Sequence, residues 1–233
     1  MADDIKKNNS GLVRRSYVCE IRAEGDNDSE KIITGRPIVY ESKTDIGYFD
    51  EIIDRGALDG ADLTDVRFLV NHNTDMIPLA RSRRNNGNST MMLTPDYEGL
   101  KIDFVKLDVE NNADARALYS AVQRGDITGM SFMFSIDGES WDDLESDHPL
   151  RHITKIGSVV EVSAVTFPAY DATSIDARSK EALDRARSAL DSARQQNAAL
   201  VDTRAKDAEQ DEAQTQAHEL ELAKAKFQFN NKF

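Results

Sequence analysis

The 233-residue sequence predicts an α+β fold, mainly an antiparallel β-barrel with peripheral helices, followed by a long helical or partly disordered C-terminal tail. Three observations carry this. Runs rich in β-branched and aromatic residues recur between residues 12 and 167, a segment of helical period interrupts them, and from Ala177 onward Gly, Pro, Trp and Tyr all disappear.

The elements follow in order. LVRRSYVCEIRA (12–23) and KIITGRPIVY (31–40) flank a Glu-Gly-Asp-Asn-Asp cluster, which is turn chemistry, so a hairpin is the simplest account. Further strand-like runs are VRFLV (66–70), TMML (90–93), GLKIDFVKL (99–107), SFMFSI (131–136) and SVVEVSAVTF (158–167). In NNADARALYSAVQRG, Ala113, Ala117, Leu118, Ala121 and Val122 recur at helical spacing, and Gly125 stands where a helix stops. No internal repeat is present. The tail from Ala177 favours helix, since its residues are mostly helix formers without breakers. Its apolar stripe is thin: Leu183 and Leu190 are seven apart, but Asn197 takes the next heptad position, leaving a coiled coil and a segment that folds on a partner both open. The domains expected are a disordered N-terminal extension (1–11), a main domain (12–176) and a scaffold-like or targeting tail (177–233).

Charge narrows the function classes. The 42 Asp and Glu outnumber the 29 Lys and Arg, a net charge of -13. Residues 177–233 hold ten of each sign, leaving 19 basic against 32 acidic groups before them, so the front part carries the whole excess. Nucleic-acid binding needs clustered positive charge and is not expected. Nor is a membrane partner, because no stretch approaches the roughly 20 apolar residues of a span. The N-terminus lacks the apolar run of a signal peptide, giving the expectation of a soluble, cytoplasmic protein. Cys19, the single cysteine, can form neither an internal disulfide nor a cysteine-rich zinc site. No cofactor and no metal are expected.

Few residues can carry chemistry. His148 and His152 have zinc-like spacing, but Pro149 between them breaks the helical geometry it needs, and His218 lies in the tail. His72 directly follows the apolar strand VRFLV in the polar run NHNTD, and reads either as a catalytic group at a strand end or as a solvent-facing loop residue. Ser131, after Gly129 at the mouth of an apolar strand, is placed either for chemistry or as a turn residue; no helix follows it, so it is no GxSxG elbow. Glu161 sits in the almost wholly apolar run SVVEVSAVTF, and either points to solvent or is buried with a partner. DGESWDDLESDHP (137–149) holds six acidic and no basic side chains, and is either a solvated loop or a flap over the cleft that favours basic peptides.

Taken together, DEIIDRGALDG (50–60), VRFLVNHNTDMIPLARS (66–82), DYEGLKIDF (96–104), RGDITGMSFMF (124–134) and VVEVSAVTFPAYDAT (159–173) resemble the prohead maturation proteases of tailed bacteriophages, which are related in fold to the herpesvirus assemblins. The resemblance spans residues 12–176; Ala80 before Arg81 and Leu58 in RGAL depart from the family's usual Gly and Phe. It implies a serine endopeptidase with Ser131 as nucleophile, His72 as general base and Glu161 as the carboxylate orienting the imidazole, with Arg81 as an additional contributor to the oxyanion site. The implied partners are the major capsid protein and a scaffold protein or segment, cut inside the assembling prohead in the host cytoplasm, with self-cleavage and self-association. The competing class is a non-enzymatic capsid assembly or scaffolding protein that keeps a protease-like domain. A third, a metal-dependent hydrolase using His72, Asp75, His148 and His152, requires distant loops to meet.

Overall fold

A computed structural model describes residues 12–19, 21–25, 30–168 and 179–196. Expectations for residues 1–11 and for the tail beyond 196 lie outside the described residues. The chain divides into two compact units, Met1–Leu183 and Asp184–Phe233.

The first unit is α+β and built on two sheets. The larger contains β1 (Leu12–Val18), β4 (Thr44–Asp45), β5 (Asp50–Ile53), β6 (Arg67–Val70), β7 (Ala80–Arg81), β10 (Gly129–Asp142) and β11 (Leu150–Val165). Its path runs β1-β10-β11-β5-β4, with β6 also on β11 and β7 on β6. The smaller sheet runs β2-β3-β9-β8, from Ile21–Glu24, Ile32–Val39, Gly99–Lys106 and Met91–Asp96.

Two expectations are corrected here. Among the described residues neither sheet closes on itself, so the barrel is replaced by two open sheets. The long β11 exhausts one edge on two short strands in succession, pairing β5 through Leu150–Ile153 and β6 through Glu161–Ala164. Both of those pairings are parallel, so the larger sheet is mixed. The expected hairpin also survives only in part. The first run breaks after Val18: β2 pairs antiparallel with β3, whereas β1 crosses to the larger sheet and pairs with β10.

Alternation explains why β10 and β11 hold the molecule together. Met130, Phe132 and Phe134 on β10, and Val162 and Ala164 on β11, point into one core shared with Ile33 and Ile102 of the smaller sheet. Helix α1 (Ala113–Arg124) closes that core with Ala115, Leu118, Tyr119 and Val122. Asn112 caps it, its side-chain oxygen accepting from the N–H groups of Asp114 (2.9 Å) and Ala115 (3.1 Å), and Gly125 ends it with φ 78°. Of the residues expected on the apolar face, Leu118 and Val122 are buried, whereas Ala113 and Ala117 stay exposed and the larger Tyr119 takes the buried face with Ala115.

A buried ion cluster anchors the edge strand β1. Arg15, with 2% exposure, pairs through two nitrogens with Glu51 of β5, which Arg151 of β11 also reaches at 3.2 Å. A second helix covers residues 179–196, and in the first unit its Leu183 packs with Ile46 and Phe49. No helix among the described residues is long and apolar enough to cross a membrane.

Candidate active site

Three neighbouring strands converge on one point. Ser131 of β10 stands opposite Ser163 of β11 on one side and Ser16 of β1 on the other. Glu161 lies two residues before Ser163 and shares its face of the sheet. Alongside β11, β6 pairs Ser163 with Leu69 and Ala164 with Val70, so the chain leaving Val70 turns over that same face. The turn is made by Asn71 (φ 51°) and His72 (φ 55°), both in the left-handed region, where Asn and His are among the more tolerant non-glycine residues. Asn71 secures it: its amide donates to Thr166 Oγ at 3.1 Å, its side-chain oxygen accepts from the Thr166 N–H at 2.9 Å, and its N–H reaches the Ala164 carbonyl at 3.0 Å.

His72, Ser131 and Glu161 are therefore brought together and buried, at 7%, 0% and 3% exposure. His72 Nε2 lies 2.5 Å from Ser131 Oγ, while His72 Nδ1 is hydrogen-bonded to Glu161 Oε1. An ionised carboxylate can only accept, so the proton between His72 and Glu161 belongs to Nδ1 and leaves the Nε2 lone pair facing the serine hydroxyl. The solvent-facing alternatives for His72 and Glu161 do not hold. The polar face of β11 looks outward in the sheet, yet the Asn71–His72 turn covers it.

Two further hydroxyls complete the arrangement. Ser163 Oγ donates to Glu161 Oε2 at 2.7 Å and accepts from the His72 N–H at 3.1 Å, tying the carboxylate to the backbone that carries the imidazole. Ser16 Oγ donates to Ser131 Oγ at 2.8 Å, and Ser131 Oγ is also 2.8 Å from the Arg15 carbonyl, which can accept its proton. Sequence reasoning missed both. The i, i+2 spacing of Glu161 and Ser163 was a usable signal for Ser163; Ser16 had none, because its place depends on β1 crossing between sheets.

The remaining candidates go elsewhere. Arg81 is held by Asp65 through two bonds of 2.6 Å, which keeps the Asp65 carboxyl below its ordinary pKa. His148 pairs with Asp50 at 3.2 Å, and His152 Nδ1 pairs with Asp54 at 2.8 Å, the latter raising the His152 pKa. With both nitrogens of His72 engaged by Ser131 and Glu161, the four-residue metal grouping is not assembled. Asp45, Asp50 and His148 do bring ligand atoms within 4.8 Å of one another, but Lys43 already pairs with Asp50. The acidic stretch 137–149 is not the single loop expected. Its first half continues β10 as paired strand, and Trp141 pairs with Arg151, ten residues along the strand from Ser131. There Trp141 meets Phe49 edge-on at 4.9 Å. Cys19 is no competing nucleophile, because burial pushes its thiol up to about 11.

A buried serine hydroxyl aimed at an imidazole that is itself backed by a carboxylate is the arrangement used by serine hydrolases. Residues 18–186 match the family model of the caudovirus prohead serine proteases, and the chain belongs to that family. No curated protein and no solved structure matches it.

Proposed function

We propose that this protein is the endopeptidase of phage capsid maturation, with Ser131 as nucleophile, His72 as general base and Glu161 as the group that orients and stabilises the imidazole. The observation that carries this reading is the continuous chain of contacts from Ser131 Oγ through His72 to Glu161. A serine hydroxyl needs a base to take its proton as it attacks. As Ser131 Oγ bonds to the scissile carbonyl carbon, its proton passes to His72 Nε2, and Glu161 stabilises the resulting imidazolium without itself taking a proton. The imidazolium then protonates the leaving amine as the peptide bond breaks. Water, activated by the same imidazole, hydrolyses the acyl-enzyme and restores the hydroxyl. Ser16, donating to Ser131 Oγ, favours the electron-rich oxygen that forms as the proton departs.

The substrates of this reading are the scaffold protein or scaffold segment and the major capsid protein, cut within the prohead, and then the protease itself. Residues 177–233 would bind scaffold and bring the enzyme into the shell. Co-expression with the cognate capsid protein, with fragments sized by mass spectrometry, tests the core of the proposal. Ser131→Ala and His72→Ala should each abolish cleavage, by analogy with losses on the order of 10^6-fold in a related triad. Glu161→Gln should retain more activity than either. Normal processing by Ser131→Ala would refute the enzymatic reading and favour a non-enzymatic assembly protein. Normal packaging of a 177–233 deletion would refute the role given to the tail.

A further inference from the structure

We propose that the cleft between α1 and the loop after β6 receives a large apolar side chain of the substrate polypeptide, within three residues of the scissile bond. This rests on the protease reading above and adds a specificity pocket to it. The cleft has a volume of about 430 Å³, towards the lower end of the range for ligand pockets. Its walls are Val70 and Met76 from the loop side, Ala117, Leu118 and Ala121 from α1, and Ile127 beyond the helix.

Its position assigns the occupant. Asn71 and Asn73, the residues on either side of His72, also line it, so the cleft lies against the loop that carries the proposed base. An extended polypeptide lying across Ser131 and His72 would therefore pass its mouth. The cleft stays open because α1 turns its large apolar residues into the core and leaves the small Ala117 and Ala121 on this flank.

Exposed apolar side chains point to the same place. Of the five exposed large apolar side chains among the described residues, Ile77 and Phe167, at 83% and 68% exposure, are the two next to residues of this site. Ile77 directly follows Met76 of the cleft wall, and Phe167 directly follows Thr166, which is clamped to Asn71 of the cleft. Asp114 is the only charged residue of the lining, so the cleft and its rim disfavour an acidic side chain.

The test digests a proteome-derived peptide library with the full-length protein and maps the cuts by mass spectrometry, alongside Ser131→Ala, Ala121→Leu, Ala117→Leu and the solvent-side control Gln123→Leu. Ser131-dependent cuts should be enriched at least about 5-fold for Leu, Ile, Met or Phe at one position, and depleted there in Asp and Glu. Filling the cleft should lower cleavage of those peptides by about 10-fold or more, while peptides with Gly or Ala at that position stay within about 2-fold, the range expected for one to two methylenes in an apolar pocket. Ala117 is exposed and Leu is a good helix former, so Ala117→Leu keeps the test valid if Ala121→Leu fails to fold. Ser131-dependent cleavage without an apolar preference, or with one that both cleft variants leave intact, overturns the pocket and spares the protease reading. Absence of any Ser131-dependent cut overturns both.

Discussion

Replacing Ser163 by Ala tests whether the site is a preorganised unit. The hydroxyl is fully buried and makes two bonds, one to a carboxylate oxygen of Glu161 at 2.7 Å and one from the His72 N–H at 3.1 Å. A hydrogen bond to a charged group is worth about 1.5–3 kcal/mol, and a buried N–H left unpaired costs about 1–3 kcal/mol. The two losses are not independent, since the His72 turn can relax, so the expected destabilisation is about 2–4 kcal/mol. For a domain of this size that lowers Tm by roughly 5–12 °C. Catalysis should suffer separately. A carboxylate held at one oxygen instead of two is free to rotate, and misplacement of a positioning group costs on the order of 10–100-fold in rate. Because the Ser163 hydroxyl is fully buried, with both of its bonds going to Glu161 and the His72 backbone, the loss should fall on kcat and leave KM unchanged. Urea denaturation and steady-state hydrolysis of a peptide substrate measure the two effects. A variant with native kcat would show that Glu161 is held by His72 alone and would refute the role given to this hydroxyl.

Three other perturbations have definite outcomes. Glu51→Gln leaves the Arg15 and Arg151 guanidinium groups buried without their shared carboxylate, and should cost about 3–5 kcal/mol in urea denaturation, against under 1 kcal/mol if the cluster were solvated. Arg36 holds the Asp96 carboxyl down to about 2 through a bidentate pair. A carboxyl whose pKa is lowered by folding adds stability above its unfolded value near 3.9, and that stability is lost as pH falls towards 2. The pair is partly exposed, 21% at Arg36 and 34% at Asp96, which reduces its worth to about 1 kcal/mol or less. Arg36→Ala should therefore be less stable than the native chain at pH 7, with the gap closing between pH 4 and pH 2; an unchanged gap at pH 2 would refute the assignment. With its thiol pushed up to about 11, Cys19 is only about 0.1% thiolate at pH 8 and should react with Ellman's reagent at least about 100-fold more slowly in the native protein than in urea. Equal rates would show an accessible thiol.

What was legible in the sequence was local. The helical spacing and Gly125 stop of α1, and the apolar runs of β10 and β11, each follow from residues within one element. The three short segments around His72, Ser131 and Glu161 were legible as candidates because each sets a polar group against an apolar strand. What could not be read is pairing at a distance. Nothing in LVRRSYVCEIRA distinguishes a single strand from two that serve different sheets, and nothing in DEIID announces a parallel partner about 100 residues later. Closure into a barrel is a property of edge pairing, so an element list can suggest it without deciding it. The acidic stretch 137–149 misled for the same reason: its first half is strand because it pairs with β11, which composition does not report.

The site is expensive to build, and the sheet explains how it persists. Glu161, His72 and Ser163 are buried polar groups, and Asn71 and His72 hold backbone angles that cost on the order of 1 kcal/mol each. These costs fall on strands whose opposite faces carry Phe132, Val162 and Ala164, all fully buried, so the backbone bearing the polar groups is fixed by packing on its other side. The same logic accounts for the Arg15 cluster. An edge strand with one free side is easily displaced, yet β1 must present both the Arg15 carbonyl and the Ser16 hydroxyl to Ser131. Burying the Arg15 side chain against Glu51 ties that edge to the opposite side of the sheet, so the surroundings of Ser131 depend on an ion pair that touches none of the three proposed catalytic groups.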